Sequence, residues 1–546
     1  MTQRIPSSVG AQRFDVIIIG AGINGAGMAR DAAMRGLKAL VLDKGDIGGG
    51  TTSWSTRLIH GGLRYLEHGE VGLVRESLRE RERLLHIAPH LVKPLPILIP
   101  IYTQGARKPW MLRAGMIAYD ILSFDKSLDH HHTLTREETL RRAPGLNPVG
   151  LRGALLYYDA QVEYAERLAL ENALAAHVRG AVVITYARVD RFIVENRVVR
   201  GVEFTDLLDG GLYAARARVV VNVAGPWVDE VLQGLDYPLP RMVGGTKGSH
   251  LIVAAFPGAP RVALYIEARE DRRPFFIIPW NNTYLIGTTD SRYEGNLDRV
   301  EADAGEINYL IRETNRIIPE ANLTHDSILF TYSGVRPLPF VEREAERKIT
   351  RRHFVRDHAP AVGSLLSIVG GKLTTYRNLS EQAVDAVFKK LSRKAPAGVT
   401  AREPLPGAAV AGDFASFAER FKAQSPFAEQ ITARLLRIYG TRATEVQELA
   451  AEEPELREPV APSTDLIGAE ILFSFRREMA QTLCDCLIRR TMAGLEPTLG
   501  LDVVEGAARI AQKYLGWCAL RTMQEVVAYR KYVERFRPRQ LQVKLG

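Results

Sequence analysis

Three glycines, Gly20, Gly22 and Gly25, stand at GxGxxG spacing directly after the apolar run Phe14-Asp-Val-Ile-Ile-Ile19. Each place makes a mechanical demand that glycine meets. The chain turns tightly at Gly20, a pyrophosphate approaches the backbone at Gly22, and a helix packs closely on a strand at Gly25. Asp43 lies 23 positions after Gly20, where a carboxylate can accept hydrogen bonds from ribose hydroxyls, so the ribose in question carries no 2′-phosphate. The chemistry indicated is the holding of a dinucleotide.

That chemistry needs particular elements behind it. The run Phe14–Ile19 predicts a buried parallel strand, the residues after Gly22 a helix whose N-terminus faces the phosphates, and Leu37–Leu42 a second strand ending in Asp43. The small-residue loop Gly48–Ser55, holding Thr52 and Ser53, can lie flat against a planar ligand. A helix from about Val71 to Ile87 stops before Pro89, and Leu95–Tyr102, although apolar, is broken twice by proline and reads as a strand. A helix over Glu163–His177 leads to strands near 181–185, 197–203 and 217–222, the last entering Ala224-Gly225-Pro-Trp227. Strand-and-turn patterning from Lys247 to Pro337 predicts an antiparallel sheet. Leu365–Val369 then repeats the order of strand, paired glycines and helix. The Ala, Pro and Gly-rich stretch Lys394–Asp413 predicts a linker, and helical patterning fills the remainder.

Glycine turns thus recur near residues 20, 61, 225 and 370, whereas an isolated nucleotide fold is complete within about 150 residues. A long cofactor touched by several chain segments fits this recurrence better than NAD, so FAD is the expected cofactor. The implied architecture is α/β: a Rossmann-like FAD-binding domain (14–90, 163–240, 345–393), an interleaved antiparallel-sheet substrate domain (91–162, 241–344), a linker (394–413) and a C-terminal all-α domain (414–546).

Composition narrows the setting. The chain has 546 residues, too many for one core. With 46% hydrophobic and 25% charged residues it reads as an ordinary globular protein. Its three cysteines, Cys484, Cys486 and Cys518, have no metal-ligand spacing, and His130-His131-His132 is a polar run without a carboxylate cluster, so no metal is expected. The first ten residues lack a signal-peptide core and no run is long enough to span a bilayer, which predicts a cytoplasmic protein. A net charge of +9 suits an anionic substrate or anionic lipid. Nucleic acid is disfavoured because no recognition motif accompanies the basic residues, which cluster only between Arg530 and Lys544.

Several motifs together resemble the FAD-dependent glycerol-3-phosphate dehydrogenases of the respiratory type, within the D-amino-acid oxidase superfamily. They are Gly20–Gly25, Leu58-Ile-His-Gly-Gly-Leu-Arg-Tyr-Leu-Glu67, Asn222-Val-Ala-Gly-Pro-Trp227, Lys247-Gly-Ser-His250, Thr331-Tyr-Ser-Gly-Val-Arg-Pro337 and Gly370-Gly-Lys-Leu-Thr-Thr-Tyr-Arg377. The resemblance implies oxidation of sn-glycerol 3-phosphate to dihydroxyacetone phosphate by hydride transfer from C2 to flavin N5, with electrons passed on to membrane quinone. It also implies peripheral contact with an anionic membrane, and the family is often dimeric. Cofactor contacts would fall at Gly20, Gly22, Gly25, Asp43, Thr52, Ser53, Gly61, Gly62, Gly225, Gly371, Lys372, Leu373 and Thr374.

The substrate's phosphate calls for several cations, for which Arg64, Arg336 and Lys372 are candidates, with Tyr65 adding a hydroxyl. A neutral histidine suits removal of the C2 hydroxyl proton. Both His60 and His250 match the family's motifs, and Arg336 could steady the developing alkoxide. Three other readings stay open: an oxidase that uses oxygen, a dehydrogenase of another polyol phosphate such as erythritol phosphate, and a flavin-binding scaffold.

Overall fold

The computed structural model describes residues 4–67, 69–103, 109–341 and 352–538, without the side chains of Arg64, Glu67 and Pro109. The end of the basic cluster beyond Pro538, and the residues 342–351 around one expected domain boundary, lie outside the described residues.

The run around Phe14–Ile19 is apolar at successive positions because both of its faces are covered. It forms the strand Arg13–Ile19, parallel to Ala39–Leu42 on one side and to Leu212–Asn222 on the other. Outward from these lie the parallel strands Leu365–Val369 and Val182–Ile184, and the antiparallel edge strand Phe354–Asp357. On one face Val16, Ile18, Val41 and Val221 pack under the helices Ile23–Met34, Ala165–Val178 and Tyr376–Lys390. On the other, Ile17, Ile19, Leu40 and Val220 meet the strand pair Ala187–Glu195 and Val198–Asp206. The first sheet is therefore doubly covered, with the ends of its parallel strands at one edge.

The second sheet has ten strands. Its order is Ser291–Arg292, Thr246–Val253, Thr283–Gly287, Pro274–Trp280, Ala263–Glu267, Val92–Tyr102, Leu151–Val162 and Leu58–Ile59, with Ile328–Arg336 added beside Thr246–Val253 and His132–Thr135 beside Leu151–Val162. Pairing is antiparallel except between Ala263–Glu267 and Val92–Tyr102. Pro94, Pro96 and Pro100 lie at alternate positions of Val92–Tyr102, so their missing N–H groups fall on one edge of the strand and the other edge keeps its donors. The strand Leu58–Ile59 leaves the chain segment expected to serve the nucleotide and joins this sheet, pairing with Ala160 and Gln161.

Helices Phe414–Gln424, Glu429–Tyr439, Ala443–Glu452, Gly468–Arg477, Val504–Leu515 and Ala519–Val533 make up the C-terminal region. The stretch 394–413 is pinned rather than loose. The Leu405 N–H donates to Ile87 O at 2.8 Å and the Gly407 N–H to Glu171 Oε2 at 2.9 Å. Fully buried ion pairs, Arg167 with Glu478 and Asp46 with Arg490, tie this region to the helix Ala165–Val178 and to the loop after strand Ala39–Leu42. Such pairs add little net stability but are costly to break.

Candidate active site

Gly20, Asp43, Ala224 and Gly370 follow the parallel strands at their common edge and line a cavity of about 610 Å³. Gly20 has φ of 109°, and a Cβ there would come within 2.7 Å of Val223 O; a Cβ at Gly25 would collide with Gly20 O. The protein itself demands those two glycines. At Gly22 a Cβ would meet only Thr52 Oγ1 at 3.5 Å, an ordinary contact, so the bareness there opens space for a ligand. Gly22, which precedes the helix starting at Ile23, has no side chain to cap it, and a helix N-terminus of this kind suits phosphate oxygens.

Asp43 accepts from the Ala21 N–H at 2.6 Å and the Gly45 N–H at 2.8 Å, and burial raises its carboxyl pKa against the pull of these donors. Each oxygen retains a lone pair for a ribose hydroxyl. Thr52 Oγ1 accepts from the Ile23 N–H at 3.0 Å at the cavity wall. Asn24 Oδ1 and Trp227 Nε1 are buried and have no partner among the described residues, although both residues line the cavity. Unsatisfied polar atoms, a bare glycine and a helix N-terminus at the wall fit a flavin dinucleotide. Gly225, Gly371, Lys372 and Leu373 also line the cavity. Ser53 does not; it is buried behind the loop, donating to Gly48 O at 2.8 Å. Gly61 also lies off both cavities, its N–H donating to Tyr119 Oη at 3.0 Å.

A second cavity, of about 680 Å³, shares Thr51, Trp54, Ser55, Gly334, Pro337 and Gly370–Leu373 with the first. The fold brings His60, Tyr65, His250, Arg336 and Lys372 to its wall, together with Gly62 and Thr374. Arg64 belongs to the short helix Arg64–Glu67, with its side chain outside the description. Arg336 sits at the end of strand Ile328–Arg336, where Nη1 pairs with Asp290 Oδ1 at 3.1 Å and Nη2 donates to Thr288 Oγ1 at 3.1 Å. Lys372 Nζ lies 3.7 Å from the centre of the Tyr65 ring.

The two histidines differ in support. His250 faces Tyr332 across paired strands and shares a hydrogen bond of 2.9 Å between Nε2 and Thr56 Oγ1. Burial first, then the Arg336 and Arg57 guanidiniums, hold its pKa well below the ordinary 6.5. His60 is half-buried, and its backbone N–H donates to Thr374 Oγ1 at 3.1 Å. Its pKa is also lowered by burial, aided by Lys372 and opposed by Asp159. Both rings are neutral near pH 7, the state a proton acceptor needs.

Thr56, Arg273 and Asp290 also face this cavity and were not expected from the sequence. Arg273 pairs with Asp271 at 3.2 Å and donates to Asp290 O, yet no short motif surrounds it. The cluster Gly287-Thr-Thr-Asp290 after a strand carries a usable signal, since small polar residues there mark a turn that can present side chains. The triple histidine serves locally, with Asp120 accepting from His131 Nδ1 at 2.7 Å.

Residues 15–377 match the family described as FAD dependent oxidoreductase, and residues 398–522 match the C-terminal domain of alpha-glycerophosphate oxidase. A glycerol-3-phosphate dehydrogenase from Synechocystis is 46% identical over 542 residues, covering 95% of this chain and 96% of that one. A D-erythritol 1-phosphate dehydrogenase from Brucella abortus is 38% identical, covering 87% and 94%. Among solved structures, the FAD complex of a glycerol-3-phosphate dehydrogenase from Bacillus halodurans superposes with a TM-score of 0.80 at 27% identity, covering 97% of this chain and 96% of that one.

Proposed function

The chain belongs to the FAD-dependent oxidoreductases, among their glycerol-3-phosphate dehydrogenases, and from that premise we propose that it oxidises sn-glycerol 3-phosphate at C2 and delivers the electrons to a membrane quinone. The observation that carries this reading is the gathering of Tyr65, Arg336, Lys372, His60 and His250 around a cavity that shares a wall with the dinucleotide cavity. FAD, when bound, supplies the two-electron acceptor for the C2 hydride. Gly20, Gly22, Asp43, Thr52, Gly225, Gly371 and Leu373 line the cavity that would hold it, while Gly25, off that wall, keeps the helix packed against the turn.

The cations hold the substrate's phosphate. Arg336 offers a planar donor fork fixed by Asp290, while Lys372 sits over the Tyr65 ring. His250 takes the C2 hydroxyl proton on Nε2, the nitrogen that Thr56 engages in the free enzyme. The same Arg336 that keeps His250 neutral steadies the alkoxide oxygen as its proton leaves. His60, on the wall of the second cavity alone and within the field of Lys372, orients the substrate.

Quinone as the acceptor calls for a membrane surface within reach. Helix Pro109–Leu122 and the turn after it expose Trp110, Met111, Ile117, Ile121 and Phe124, with Trp110 65% and Phe124 77% exposed. No helix of the described residues is long and apolar enough to cross a membrane, and an exposed apolar helix suits peripheral attachment from the cytoplasmic side. In flotation with anionic liposomes the protein should rise with the vesicles, and the pair Ile117→Asp, Ile121→Asp should leave it at the bottom; equal flotation of both would remove this helix from the reading.

Substrate identity is tested by kcat/KM. Values for sn-glycerol 3-phosphate should exceed those for D-erythritol phosphate by at least about tenfold, the discrimination available from 1 to 3 kcal/mol of fit. The reverse order would make the chain an erythritol phosphate dehydrogenase, the reading that its Brucella relative favours. Release of one peroxide per substrate would replace quinone with oxygen.

A further inference from the structure

We propose that the C-terminal helical domain forms a wall of the cofactor site and grips the adenosine half of FAD, an inference that rests on FAD occupying the 610 Å³ cavity. Thr482, Cys484, Arg489, Ala528, Tyr532 and Arg535 all line that cavity. They belong to a part of the chain with no nucleotide-binding signature.

Their neighbours show which half of the cofactor they meet. The Tyr186 N–H bonds to Gly45 O at 3.0 Å and the Ala187 N–H to Asp43 O at 2.7 Å, so these residues back the ribose-binding carboxylate. Tyr186 Oη in turn donates to Asp485 Oδ1 at 2.6 Å. Asp46, three residues after Asp43, is buried between Arg489 at 2.5 Å and Arg490 at 2.5 Å. The loop that presents Asp43 is thereby clamped to the helical domain.

A second set of contacts crosses the cavity mouth. Lys44 Nζ pairs with Asp298 Oδ1 at 2.6 Å and lies 4.7 Å from the centre of the Trp227 ring. Arg535 Nη1 donates to Asp298 O at 3.2 Å. The nucleotide-binding sheet, the loop at 297–300 and the last helical turn thus meet over one opening, and Arg535 adds a positive charge suited to an anionic dinucleotide. Because the domain contributes wall to the bound state, its docking and cofactor binding are linked and each strengthens the other.

The test uses the full-length apoprotein, titrated separately with FAD and with ADP, which shares FAD's adenosine and diphosphate and has no flavin. Arg535→Gln removes the charge at the mouth. Ala528→Trp fills the cavity from an exposed position, so it does not disturb the packed core. Each variant should raise the Kd for FAD by about tenfold, and that for ADP by the same factor, with the thermal midpoint of the apoprotein unchanged. Unchanged affinities in both variants, or weaker FAD binding with unaltered ADP binding, would overturn the proposal. Wild-type apoprotein that fails to bind FAD would instead defeat the cofactor reading beneath it.

Discussion

The two adjoining cavities are built by different means. The dinucleotide cavity is made largely of backbone: glycines that only close packing explains, a helix N-terminus and a carboxylate fixed by two N–H donors. The substrate cavity is made of side chains brought from residues 56–65, 250–290, 336 and 372. Backbone sites are specified by short spacing and tolerate almost no change at a few positions. Side-chain sites arise only after two sheets have formed, and their residues act in steps that can be altered one at a time.

The most severe way to break that contrast is Gly25→Val, because even a Cβ at this position collides with Gly20 O. The variant should lose more than about 4 kcal/mol of stability and be purified without flavin; a normal ratio of FAD to protein would show that the strand-turn-helix is not the cofactor's anchor. Arg336→Ala attacks the other cavity. It should lower kcat/KM by roughly two to three orders of magnitude, the scale of a lost charge-assisted contact that also steadies developing charge, while flavin content stays normal. Loss of flavin in that variant would merge the two sites into one.

The contrast also explains what was legible in the sequence. Gly20, Gly25 and Asp43 could be read from spacing because local geometry alone imposes them. His60, His250, Arg336 and Lys372 stood out only through combined family motifs, since the register of Thr246–Val253 with Ile328–Arg336 is what brings His250 and Arg336 to one wall. Thr56 escaped because its partner, His250, lies far away in sequence, and Arg273 because no short motif surrounds it. Ser53 and Gly61 carried motif signals yet lie just behind the surface they support. The region 394–413 looked like a linker by composition, but Leu405 and Gly407 hydrogen-bond to Ile87 and Glu171, contacts no local pattern announces.

A gentler probe sharpens the side-chain half of the comparison. Thr56→Val keeps the shape and removes the hydroxyl from His250 Nε2. The rate of flavin reduction should fall by about tenfold, within the range of proton-transfer assistance, with KM within twofold of wild type. A change confined to KM would assign Thr56 to substrate binding.

The smallest effect expected is on pH dependence. Burial holds both histidines below 6.5 in the folded protein, so a neutral base persists as pH falls from 8 to about 6 and the reduction rate at saturating substrate should stay flat. The same depression means that unfolded chains gain protons first: the stability these neutral rings carry is present above 6.5 and is lost as pH falls below it. A rate titrating at 6.5 would mean that an exposed histidine, and neither of these two, is the base.

The most direct measurement is anaerobic mixing of wild-type holoenzyme and the Arg336→Ala variant with sn-glycerol 3-phosphate while the flavin absorbance is followed. Prompt bleaching is expected in the wild type, and bleaching slowed by orders of magnitude in a variant with equal FAD. Persistent yellow colour in wild-type protein with its FAD intact would contradict it.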